Sequence, residues 1–272
     1  MKKAAPGAGG VAMMPRWLRQ AATAFAFACF GLGGLCMRLL YFPLLGLLLR
    51  EPAARTRHAR RTVQRSFAAF VRLLDLLDLV RVQVEGAEKL QRGGLLVLAN
   101  HPTLVDVVIL ISLVRNADCV VKASLARNPF TRGPIAATGY IANDGGPELL
   151  DACMRSLNQG GNLVIFPEGT RTSFGEEPPM RLQRGAAQIA ARLKRNVTPV
   201  LIHGRPHGLG KGQHWWQVGA QAMRLRVTVG DDIAVAPFLA AASGEPSLAA
   251  RHITAYLQAL YATTQEANSQ GA

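Results

Sequence analysis

From Ala21 to Leu49 the chain is almost wholly apolar, interrupted by Arg38 and by Pro43, which can kink a helix. A helix needs about 20 apolar residues to match the hydrocarbon core of a bilayer, so this segment is long enough to sit in one. It starts too late and runs too long for a secretory signal and is expected to be retained. Two arrangements fit: a single tilted span with Arg38 near one interface, or a helical hairpin that enters one leaflet and turns back. Residues 1–15, rich in Gly and Ala with Lys2 and Lys3, carry no pattern for a fixed element.

A basic cluster follows at once: Arg50, Arg55, Arg57, His58, Arg60, Arg61 and Arg65. Cations beside an apolar segment are drawn to the anionic cytoplasmic leaflet, each contributing on the order of 1 kcal/mol near the surface. The same residues act as a topological signal that holds the following chain inside. Both readings divide the chain into a membrane-associating part, residues 1–50, and a cytoplasmic domain, residues 51–272. They also account for much of the formal net charge of +14. Nucleic acid is excluded as the reason for that charge, because aromatics are 6% of residues and no basic stripe interleaved with them follows.

Cys29, Cys36, Cys119 and Cys153 show no CxxC spacing, so neither a zinc site nor a disulfide framework is indicated. They read as small buried hydrophobes. His58, His203, His207, His214 and His252 form no ligand spacing either, and no metal is expected.

Beyond residue 80 short β-rich runs alternate with helical stretches. The spacing predicts strands over 80–85, 95–99, 119–122, 139–142, 162–166, 197–203 and 224–229. It predicts a helix over 102–114 that is apolar on nearly every side, hence buried. A second helix over 181–194 carries Leu182, Ala186, Ile189 and Leu193 on one face. The alternation gives the fold class: α/β, a mixed, largely parallel sheet flanked by helices, with an N-terminal membrane-embedded helical segment. The polar tail over 263–272 is expected to fray.

Two segments carry chemistry. Asn100-His101-Pro102-Thr103-Leu104-Val105-Asp106 joins a predicted strand to the buried helix. Pro102 suits a first helical turn, which puts His101 at the cap position on the rim of the sheet. Residues five apart on a regular helix point about 140° apart, so His101 and Asp106 meet only if His101 stands outside the helix. Asp106 then accepts the Nδ1 proton, fixes the tautomer and leaves Nε2 as a base. Asp106 lies among Leu104, Val105, Val107 and Val108, where a carboxylate needs a partner, and His101 is the nearest. A capping His with a solvated Asp is the alternative.

The second segment is Phe166-Pro167-Glu168-Gly169-Thr170-Arg171, after the apolar run Leu163-Val164-Ile165. If its strand lies parallel to the one before His101, Glu168 and Arg171 stand at the same rim. Gly169 permits close backbone approach, and Arg171 offers a planar fork suited to phosphate. A surface turn with a Glu–Arg pair is the alternative.

Together the two segments resemble those of the lysophospholipid acyltransferases, typified by 1-acylglycerol-3-phosphate acyltransferases, over roughly residues 80 to 235. The resemblance implies an enzyme that moves a fatty acyl group from a thioester, acyl-CoA or acyl carrier protein, to a lysophospholipid hydroxyl in phospholipid biosynthesis. It implies His101 as general base and Asp106 as the group that orients and charges it. Glu168, Gly169, Thr170 and Arg171 would bind substrate, with Asn100 and Lys122 beside them. Pro199 would line the acyl-chain pocket, and backbone amides at the start of the buried helix would meet the oxyanion. No cofactor is implied beyond the acyl-thioester co-substrate. Membrane phospholipids and the lysolipid acceptor are the implied partners, at the inner (cytoplasmic) membrane with the active site facing the cytoplasm. An esterase is not expected, since no Gly-x-Ser-x-Gly occurs.

One block departs from the pattern. Family members usually carry an Arg that helps bind the glycerol phosphate, and the matching stretch, Gly139 to Gly146, has none after Asp144. A phosphate-bearing acceptor would then lean on Arg171 with Lys122, Arg127 or Arg132. Another lysolipid or a specialised lipid as acceptor, and a non-catalytic membrane lipid-binding protein, stand as alternatives.

Overall fold

The run Leu96–Ala99 is buried at every position, as the middle strand of a parallel sheet covered on both faces requires. The computed structural model describes residues 14–144, 148–169, 181–205, 219 and 221–270, with side chains at the C-terminal end only to 263. Among these residues seven strands form one sheet: β1 (Val80–Glu85), β2 (Leu96–Ala99), β3 (Ala117–Lys122), β4 (Ile141–Asn143), β5 (Asn162–Ile165), β6 (Val197–Arg205) and β7 (Met223–Val229). Their spatial order is β1-β7-β6-β2-β5-β3-β4, and every neighbouring pair is parallel except β6 and β7. The fold is the mixed, largely parallel α/β sheet that the alternation predicted.

Helices α1 (Arg16–Cys36), α2 (Phe42–Leu48), α3 (Pro52–Leu76), α4 (Asp106–Leu113), α5 (Ala123–Arg127) and α6 (Arg132–Thr138) precede β4. After it come α7 (Glu148–Asn158), α8 (Gly185–Leu193), α9 (Ala236–Ala241) and α10 (Pro246–Gln270). Alternate side chains of each strand point to opposite faces, which separates two cores. Val97 and Ala99 join α1, α3 and α4 on one face. Leu96 and Leu98 join α7, α8 and α10 on the other.

Several boundaries differ from the sequence expectation. The buried helix begins at Asp106, not at Pro102, and the second helix begins at Gly185, not at residue 181. The strand expected over 139–142 is Ile141–Asn143, because Gly139 (φ 68°) ends α6 in the left-handed conformation. α10 continues to Gln270, where fraying was expected from 263. The expected disorder of residues 1–15 falls almost entirely outside the described residues.

Two 25-residue helices had no counterpart among the expected elements, α10 and, with more consequence for the site, α3. Its Arg-rich stretch read as a membrane flank, yet Val63, Phe67, Phe70 and Leu74 recur at helical spacing and pack into the core. One member of the basic cluster turns inward. Arg60 donates to the Thr138 carbonyl (2.9 Å) and to Asp118 (2.7 Å), which also accepts from the Ser156 hydroxyl (2.6 Å). Arg60 therefore ties α3 to the sheet, while Arg57, Arg61 and Arg65 remain exposed.

The apolar segment forms one long helical path, α1, a π-turn at Met37–Tyr41 and α2. Pro43 has no N–H to give to the preceding turn, and the widened turn absorbs that loss. The chain reverses at residues 49–51 and returns along α3. Contacts run the length of the pair. Arg19 meets Asp78 at 3.1 Å, the Phe30 ring lies 5.0 Å from that of Phe70, and Tyr41 Oη is 2.6 Å from the Thr62 hydroxyl. Gly34 passes so close to the Phe130 carbonyl oxygen that any side chain there would collide with it. Trp17, Phe25, Leu32, Leu39, Leu44 and Leu47 point outward.

Candidate active site

β2 and β5 are parallel neighbours with Leu98 opposite Ile165, so the segments that follow them emerge at one rim of the sheet. This is why two motifs sixty residues apart meet. The main-chain N–H of His101 donates to Glu168 Oε1 at 2.9 Å. The imidazole lies 4.6 Å, centroid to centroid, from the ring of Phe166.

His101 Nδ1 is 3.1 Å from Asp106 Oδ2. The contact is possible because residues 102–105 form a turn instead of a helix, which folds the His ring back over the first residue of α4. Asp106 is 0% exposed. Its carboxylate also accepts from the Thr103 N–H and, at 2.6 Å, from the Thr103 hydroxyl. Burial raises the Asp106 pKa above the usual carboxylate range, and the His101 and Thr103 hydrogen bonds pull against that rise. With Nδ1 donating to Asp106, Nε2 keeps its lone pair.

Three amide donors of the turn before α4 are already engaged. The N–H of His101 serves Glu168, that of Thr103 serves Asp106, and that of Val105 donates to the Thr103 hydroxyl at 3.3 Å. The start of the buried helix does not supply those three amides to an oxyanion. Thr103 itself was not singled out from the sequence, although a hydroxyl three residues before a buried Asp is a readable signal for such a loop.

Asn100 has a different occupation from the expected one. It is buried, its side-chain amide donates to the Ile202 carbonyl at 2.8 Å, and its oxygen accepts the Ile202 N–H at 2.7 Å. That pair staples the end of β2 to β6, where the strands stop bonding directly. Gly169 closes the Phe166–Gly169 turn with φ at 67°, and a Cβ there would run into the Gln183 amide. Lys122 ends β3 opposite Asn143 of β4 and is exposed. Thr170 and Arg171 lie outside the described residues. Pro199 lines no part of the cavity; it packs against Gly230, on the same face of β6 as Val197.

A cavity of about 1480 Å³ opens beside His101. Small-ligand pockets run to roughly 1,000 Å³, so this one has room for an extended chain. Val63, Phe67 and Phe70 of α3 line it together with Ala26 and Phe30 of α1. Lys122 and Asn143 stand on its wall at the carboxyl rim, and on the other face of the sheet Leu150 and Ile189 continue the lining.

Residues 81–203 match the family model described as Acyltransferase. A curated 1-acyl-sn-glycerol-3-phosphate acyltransferase from Helicobacter pylori is 32% identical over 131 residues, covering 46% of this chain and 55% of that one. The enzyme of the same name from Saccharomyces cerevisiae is 28% identical over 141 residues, covering 49% of this chain and 46% of its own. The chain thus spans about half the length of the curated relatives it matches. The crystal structure of the 1-acyl-sn-glycerophosphate (LPA) acyltransferase from Thermotoga maritima superimposes with a TM-score of 0.62. That match covers 80% of this chain and 85% of the other at 20% identity, a likeness of fold.

Proposed function

Taking as premise that residues 81–203 are an acyltransferase-family domain, we propose that this protein transfers a fatty acyl group from an acyl thioester to the hydroxyl of a lysophospholipid of the 1-acylglycerol-3-phosphate type. The observation that carries the reading is the His101–Asp106 pair at 3.1 Å on the rim of a chain-sized apolar cavity. His101 Nε2 takes the proton of the acceptor hydroxyl as its oxygen attacks the thioester carbonyl carbon. A new C–O bond forms, the tetrahedral oxyanion collapses, the C–S bond breaks and thiolate leaves. The imidazolium then gives up its proton to the thiolate or to solvent. Asp106 holds the ring in one tautomer and stabilises its positive charge, and Glu168 fixes the loop through the His101 N–H. General-base help of this kind is worth about 10²–10⁴-fold.

The missing Arg after Asp144 favours a second acceptor, another lysolipid or a specialised lipid hydroxyl. Lys122 and Arg171 are the cations proposed to carry an acceptor phosphate. The donor is acyl-CoA or acyl carrier protein, in phospholipid biosynthesis. We place the protein on the inner membrane with its active site towards the cytoplasm. The contacts along α1 and α3 support a helix pair lying in one leaflet over a span projecting away from the domain.

Purified protein offered acyl-CoA and acyl carrier protein against a panel of lysolipids tests the reading. Product with lysophosphatidic acid supports a phosphatidic-acid synthase, and product only with another lysolipid moves it to a different acceptor. No product with any pair overturns the reading.

A further inference from the structure

The cavity beside His101 is lined from both faces of the sheet. On one face lie α1 and α3, whose outward side is apolar and, for α3, basic; this is the side proposed above to meet lipid. On the opposite face lie α7 and α8, which contribute Leu149, Leu150, Cys153, Ala186 and Ile189 to the same cavity. A transferase that joins a membrane lipid to a water-borne donor needs two entries, and the fold offers one on each side.

The α8 side carries its own charge. Residues 181–199 hold Arg181, Arg184, Arg192, Lys194 and Arg195 and no acidic residue. Arg184, Gln188 and Arg192 recur every four residues, so they form one stripe on α8, about 12 Å long. Arg184 and Arg192 are exposed, and among the described residues neither pairs with an acid. On α7, Glu148, Asp151 and Arg155 are exposed, and among the described residues neither acid forms an ion pair with the stripe. Gln188 and Arg192 also line the cavity, so the stripe runs directly into it. The buried side of the same helix, Ala186, Ala187, Ile189, Ala190 and Ala191, packs on the sheet and α10, with Ala186 and Ile189 also bordering the cavity. The cations are therefore not needed to hold the helix, and they stand on the face away from α1.

We propose that the Arg184–Gln188–Arg192 stripe of α8 is the docking surface for an acyl carrier protein, whose acidic helix lies along it while the thioester arm enters the cavity between α7 and α8. This rests on the transferase reading and deepens it by naming the donor and its entry. An exposed, evenly spaced row of cations on a straight helix suits a second helix bearing carboxylates, and steers it by long-range attraction. The acyl chain and its arm then approach His101 from the aqueous face, while the acceptor enters from the lipid face.

The test is direct binding, read without turnover. Fluorescently labelled acyl carrier protein is titrated with the full-length protein in detergent, and anisotropy is recorded at low and high salt. Saturable binding that weakens with salt, and that weakens about tenfold or more in Arg184→Glu/Arg192→Glu, supports the proposal. Arg184→Gln/Arg192→Gln should lose less, and a control pair on β7, Arg224→Glu/Arg226→Glu, should bind as the wild type does. No binding by the wild type, or equal loss in the β7 pair, overturns it. Acyl transfer from coenzyme A thioester alone, with no carrier binding, also overturns it and leaves the transferase reading standing. Carrier binding without transfer to any lysolipid sinks the transferase reading instead.

Discussion

The main-chain N–H of His101 is hydrogen-bonded to the carboxylate of Glu168 at 2.9 Å, although 67 residues separate them. One bond thus locks the loop after β2 to the turn after β5. The acid of the second motif holds the loop of the first in place, and its conformation bears on where the imidazole points.

His101→Ala should leave a folded, membrane-associated protein with transfer reduced by about 10²–10⁴-fold. Thermal melting and a sedimentation assay would establish the fold and the location, and a radiolabelled acyl-transfer assay the rate. Retention of more than about a tenth of the wild-type rate would sink the general-base assignment.

Gly169→Ala forces a side chain into a left-handed backbone, at a cost of about 1–2 kcal/mol, and pushes against Gln183. The turn should shift and carry Glu168 with it. Transfer should fall more than the melting temperature does; unchanged kcat would mean that the turn does not set the position of the His101 loop.

Arg60→Ala should be among the most destabilising single changes, about 3–5 kcal/mol at neutral pH, because it leaves Asp118 buried without its cation. Burial already raises the Asp118 pKa, against the pull of Arg60, Ser156 and the Cys119 N–H. A carboxyl whose folded pKa lies above its unfolded value of about 3.9 binds more protons folded than unfolded. Its stability contribution is present below that value and is lost as pH rises through the folded pKa. Urea denaturation should therefore show the Arg60→Ala deficit shrinking as pH falls from neutral towards 4, and a deficit independent of pH would mean that Asp118 is already neutral.

Leu39→Glu/Leu47→Glu places charges on outward side chains that are 57% and 80% exposed and touch nothing essential to the core. Vesicle partitioning should weaken by about tenfold or more, with the melting temperature little changed. Equal partitioning of both forms would remove this face from membrane binding.

Arg171→Ala and Lys122→Ala should raise KM for phosphate-bearing acceptors far more than for neutral ones. Equal changes for both acceptor types would mean that neither side chain reads phosphate.

The α/β class was legible because β-rich runs and helical spacing alternate along the chain, and β2 and the Leu163-Val164-Ile165 part of β5 declare themselves as apolar runs. The His101–Asp106 pairing was legible from the 140° argument and from the apolar company of Asp106. Pro102 misled the helix boundary, since a proline suited to a first turn sits equally well in the turn before it. Asn100 looked like a ligand-facing polar residue because nothing local announces that Ile202, 102 positions later, consumes both ends of its amide. α3 was hidden by its own arginines, which drew attention from the Val63, Phe67, Phe70 and Leu74 face.

By itself the sequence determined what depends on neighbours in the chain: a long apolar helix with a basic flank, the α/β alternation, and a histidine five residues before a buried aspartate. Only the tertiary structure decided which of many similar cations faces what. Arg60 turns inward to Asp118, Arg19 of the apolar helix α1 is pinned to Asp78, and Arg184 and Arg192 stand exposed on the opposite face of the sheet. All four are arginines, so charge type does not separate them. What differs is the long-range packing of helices on two faces of one sheet, which fixes the side to which each side chain is delivered.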